Sequence, residues 1–144
     1  MARLFRNHSP GPLAATPVTV PGPRPRLSAR PGVRRAALAV AVLLAVAAAH
    51  LAGNDAESAR RAAADPELAR LLRAMAFIKA AMAAAAVWLA DRLLRRPLGA
   101  GLALGVILTA AFMAAAPVLI WHVAHVGTGA LLFHAAAILL LVLG

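Results

Sequence analysis

From Leu98 to Gly144 the chain runs for 47 residues without an aspartate, glutamate, lysine or arginine. One membrane crossing needs only about 20 apolar residues, so a stretch this long is more than one span. It also lacks the polar face that a helix of a water-soluble domain keeps toward solvent. It reads as two consecutive transmembrane helices. The only titratable side chains within it are His122, His125 and His134.

The rest of the chain fits the same solvent. Hydrophobic residues make up 62% of the sequence, against about 45–50% in soluble domains. Mean hydropathy is +0.81. A first apolar run, AALAVAVLLAVAAAHLAG at 36–53, follows Arg34-Arg35. As a helix it rises about 27 Å, enough to cross the hydrocarbon. Ala47-Ala48-Ala49 resembles a small-residue cleavage site, but the basic leader is long and more spans follow, so the run is read as a retained helix. Residues 54–65 read as a polar loop. Asp65-Pro66-Glu67 then makes a helix start: Asp caps free amides, Pro suits the first helical position and Glu favours the positive helix end. That helix is expected over Pro66–Arg96, with its membrane part at about 72–91.

Seven of the ten prolines precede residue 32. Proline sustains neither a helix nor a sheet ladder, and few large apolar residues are present there to offset ordering entropy. The expected architecture is an all-α integral membrane protein: a four-helix transmembrane bundle over 36–144 behind a disordered, basic, Pro-rich tail over 1–35. Expected spans are about 36–53, 72–91, 98–115 and 118–144. The last boundary has two candidates. Gly127-Thr128-Gly129 has better turn chemistry, but it leaves a short final helix whose carboxylate stops inside hydrocarbon. Ala115-Ala116-Pro117 gives two workable spans with Pro117 at a helix start, and is preferred.

The net charge of +10 comes from fifteen basic and five acidic side chains. Seven of the basic ones lie before residue 36, and most of the others flank apolar runs. That distribution fits membrane topology and anionic lipid heads, not nucleic acid. The Arg-rich tail favours both termini in the cytoplasm. The Ala- and Arg-rich bias suggests a GC-rich bacterial source, which makes the expected location the inner membrane.

In that orientation His50, Lys79, His122 and His125 share the outer leaflet as a histidine cluster, and intramembrane ionisable groups are functional candidates. Haem b is the sharpest hypothesis: His50 and His125 as axial ligands, with Arg73 and Lys79 near the propionates. His122 and His125, three residues apart on one helical face, suit a small metal ion such as copper or zinc better. The opposing reading is structural: interfacial histidines reach water, headgroups or carbonyls, and Lys79 extends its stem toward the surface. The chain has no cysteine, which excludes thiolate sites. Ser9, Ser28 and Ser58 lie outside the spans, which argues against a serine hydrolase, and the reading leans away from an enzyme without excluding one. Gly101 and Gly105 form a GxxxG face for close helix packing. Asp91 and Arg95 form an interfacial i, i+4 ion pair.

Three function classes remain open on this sequence. The first is an accessory or scaffold subunit of an inner-membrane complex, with the lipid bilayer and other membrane subunits as partners. The others are a haem- or metal-binding redox subunit and a small transporter or channel.

Overall fold

The computed structural model describes residues 30–143. They form α1 (Pro31–Gly53), α2 (Ala56–Ala64), α3 (Pro66–Leu94), α4 (Ala100–Trp121) and α5 (Val126–Leu143), with a single 3₁₀ turn over Val123–His125. No strand occurs among the described residues. Four stretches, α1, α3, α4 and Val123–Leu143, are long and apolar enough to cross a membrane.

These four run up and down in turn. One core layer joins Leu38 of α1, Ala90 and Leu94 of α3, and Val106 and Ala110 of α4, with Leu143 of α5 packed against it. The start of α1 and the end of α5 therefore lie at one end of the bundle. A second layer joins Ala83 and Ala86 of α3 to Met113 and Ala116 of α4 and to Phe133, Ala136 and Leu140 of α5. Helix α4 is the hub: 61% of its apolar stretch is buried, against 17–22% in the other three. It carries no charged side chain, and its buried surface is largely small: Ala103, Thr109, Ala110, Ala111, Ala115 and Ala116. Small side chains let α1, α3 and α5 approach its backbone. The large apolar residues of those helices, such as Leu43 and Leu44, Phe77 and Ile78, and Leu141 and Val142, point outward. In water so much exposed apolar surface signals a missing partner. In lipid it is the expected exterior.

The chain reverses at neither expected position. Pro117 stays inside α4, buried, and the helix continues to Trp121. A proline deprives one carbonyl of its donor, but buried helices of this kind absorb that loss through their neighbours. The break comes at His122, where the backbone turns extended (φ −87°, ψ 98°). Glycine decides where α5 then docks. A Cβ on Gly129 would sit 2.8 Å from both the Ala116 carbonyl oxygen and Ile120 Cγ1, so only glycine fits at this α4–α5 contact. Of the GxxxG pair, a Cβ on Gly105 would come within 3.4 Å of Leu143 Cδ1, while one on Gly101 would meet nothing within 4 Å.

Two further boundaries differ from the sequence reading. The 54–65 segment contains a helix, α2, because the Asp55 side chain caps it through the Ser58 amide (2.7 Å) and Glu57 pairs with Arg61 one turn on (2.7 Å). Helix α1 begins at Pro31, so residues 31–35 belong to the bundle; the remainder of the expected tail, 1–29, lies outside the described residues. Arg34 is buried in that first turn and donates to the carbonyls of Leu98 (2.9 Å) and Arg96 (3.4 Å). Arg35 pairs with Asp91 at 2.6 Å, so the Asp91–Arg95 pair is one half of a three-residue network that ties α1 to the α3–α4 connection. As expected, Asp65 caps α3 through the Leu68 amide (2.9 Å).

Candidate functional site

Two of the histidines, His50 and His122, meet at the other end of the bundle. His50 ends α1 in a stretch that turns at Gly53-Asn54 into α2, and the α4–α5 break carries Trp121, His122 and His125 past that elbow. Gly53 makes the meeting tight: a Cβ there would lie 2.5 Å from His122 Cδ2. The His50 and His122 rings face each other at 5.4 Å between centroids, tilted by 54°. His122 Nε2 is buried with no hydrogen-bond partner in the structure. Buried polar atoms are rarely left so.

Each remaining candidate has its own partner. His125 Nε2 contacts Asp55 Oδ2 at 2.9 Å, linking the hairpin to the cap of α2. Asp55 is held down to about 2, first by the hydrogen bond from the Ser58 amide and then by His125. Arg73 lies over the Trp121 ring (5.4 Å to the centroid), and Phe77 meets the same ring edge-on at 5.5 Å. Lys79 Nζ sits 4.2 Å over the ring of Phe133. His134 Nδ1–H donates to the Ala130 carbonyl within α5 (2.7 Å).

Two hollows of about 230 Å³ flank Trp121 and His122. One is apolar and lies between α1, α3 and α4, with His50, Phe77 and Pro117 among its walls. The other is more polar and is lined by Asn54, Asp55, Ser58 and Arg73.

The structure thus brings His50 to His122, not to His125. Two imidazoles cannot clamp a porphyrin while their rings are already in contact, and Arg73 and Lys79 are turned to different aromatic rings. His122 and His125 do not share a helical face, because the helix breaks between them. Among the described residues no three of His, Asp and Glu converge as a ligand set for a metal ion. The Asp55–His125 bond was missed from sequence: the two lie 70 residues apart, and only the α2 cap and the hairpin bring them together. The acidic first turn of α2 was the one available signal. Comparison with protein-family models, with curated proteins and with solved structures finds no match for the chain.

Proposed function

We propose that the chain is a small polytopic membrane protein that serves as an accessory or scaffold subunit of an inner-membrane complex. The observation that carries this reading is the dispersal of its polar side chains. Arg73, Lys79, His125 and His134 each make a separate structural contact, and none of them surrounds a common centre. What such a bundle offers its surroundings is its outer surface of large apolar residues on α1, α3 and α5, suited to lipid and to other transmembrane helices.

Charge supports an orientation with both termini in the cytoplasm. The end holding the start of α1 carries Arg30, Arg34, Arg35, Arg92, Arg95 and Arg96 against Asp91 alone; the histidine end carries Arg60, Arg61, Arg70 and Arg73 against Asp55, Glu57, Asp65 and Glu67. Basic residues are retained on the cytoplasmic side. Reporter fusions at residues 60 and 94 should report opposite compartments. The role itself is tested by mild detergent extraction of the tagged full chain from its native membranes, followed by native electrophoresis. Co-migration with a stoichiometric partner is expected, and migration alone refutes the subunit role.

One observation favours a second reading, a metal- or haem-binding redox subunit: the His50–His122 pair with its unpartnered Nε2. It requires the rings to part. A Soret band or a bound metal that disappears in His50→Ala supports it, and a colourless, metal-free preparation removes it.

A further inference from the structure

We infer that the seam between the exposed faces of α3 and α5 receives a transmembrane helix of a partner subunit, and that a carboxylate on that helix pairs with Lys79. This rests on the subunit reading above and names the chemistry of the partner.

Lys79 does not behave as a surface lysine. Its Nζ lies over Phe133, seven residues into α5 and so about 10 Å from the α4–α5 break. A snorkelling side chain would instead lead its ammonium toward the nearer membrane surface. The ring face offers a cation only part of what water or a carboxylate supplies. Phe133 itself is buried in an apolar layer, and no acidic side chain of the described residues pairs with Lys79. Of the two acidic residues in the spanning helices, Glu67 lies in the first turn of α3, twelve residues before Lys79, and holds Arg70, and Asp91 lies at the other end of α3 and already holds Arg35 and Arg95. A second copy of the chain therefore has no carboxylate to offer at this depth. An intramembrane ammonium without a counter-charge is expensive, and such groups pair wherever a partner allows.

The surface around it fits a helix. Helices α3 and α5 each pack on α4 with few contacts between their backbones, and they meet along a seam over the hub where Lys79 reaches Phe133. Met75 and Met82, one turn to either side of Lys79 on its own face, are exposed. Methionine adapts its shape to an incoming surface. On the α5 wall, Ala130 and Ala137 flank Phe133 and admit close backbone approach.

The test uses the full chain in phosphatidylcholine vesicles and a synthetic Leu/Ala transmembrane helix with a dansyl label. One version carries a single Glu about 10 Å below the interface that matches the α4–α5 break; the control carries Leu there. Energy transfer from Trp88 and Trp121 reads association. The Glu helix should bind the wild type about tenfold more tightly than the Leu helix. That preference should vanish in Lys79→Met and persist in Lys79→Arg, with unchanged tryptophan spectra showing that both variants fold. Equal binding of the two helices, or a preference that survives Lys79→Met, overturns the pairing. So does its loss on adding phosphatidylglycerol, because a lipid phosphate would then be the counter-charge. A chain that migrates alone from native membranes yet still discriminates Glu from Leu loses the subunit role and keeps the pairing surface; the reverse result loses only the surface.

Discussion

Replacing Gly129 by alanine tests the packing logic of the bundle most directly. Its Cβ would stand 2.8 Å from the Ala116 carbonyl oxygen and 3.1 Å from the Ile120 amide nitrogen, both backbone atoms that no rotamer change can move. Ordinary contact begins at 3.4 Å, so α5 must shift outward from α4 by roughly half an ångström along much of its length. Overpacking of this kind costs about 1–3 kcal/mol. Alanine returns about 0.5–1 kcal/mol through its better helix propensity. The net expectation is a destabilisation of about 1–2 kcal/mol. Gly127 supplies the control, two residues away in the same helix, because a Cβ there meets nothing within 4 Å. Gly127→Ala should be neutral or slightly stabilising. The assay is denaturant unfolding in detergent micelles, followed through the fluorescence of Trp121, which adjoins the α4–α5 break. If Gly129→Ala and Gly127→Ala unfold together, the close approach of α5 to α4 does not hold the hairpin, and the reasoning fails.

Other perturbations have equally definite outcomes. Arg34→Met removes a buried charged donor from the Leu98 carbonyl and should cost about 1.5–3 kcal/mol in the same unfolding assay, with Arg34→Lys recovering part of it. Asp65→Ala deletes the cap of α3; a loss of about 1 kcal/mol and faster amide exchange at Leu68 should follow. Asp55 has its carboxyl held at about 2, below the ordinary 3.8. Its contribution is therefore fully present above about pH 4 and disappears as pH falls through about 2. Protection of the Ser58 amide, its exchange rate referred to the intrinsic rate at each pH, should fall across that window, and Asp55→Asn, which still caps the helix, should abolish that change. Protection that stays flat in the wild type would show that the Asp55 contact does not hold α2.

The sequence alone determined the number of helices long and apolar enough to cross a membrane. That number follows from hydropathy and length, which are local quantities: 47 residues without an acidic or basic side chain, apart from three histidines, hold two such helices. The cap at Asp65 was equally legible, because a cap and its amide are neighbours in the chain. The tertiary structure decided what depends on contacts between distant residues. Turn chemistry and span length, weighed together, favoured a reversal at Pro117. Yet a buried proline inside α4 is tolerated, and the reversal falls where Gly129 can reach Ala116 and Ile120. The histidines could be placed at one end by counting helical turns, but rotation about each helix decided their partners. Thus His50 meets His122, His125 finds Asp55 across 70 residues, and Lys79 lies over Phe133. Hydropathy fixes depth in the membrane; which face of a nearly uniform apolar helix turns inward is set by where small residues let the neighbouring backbones touch.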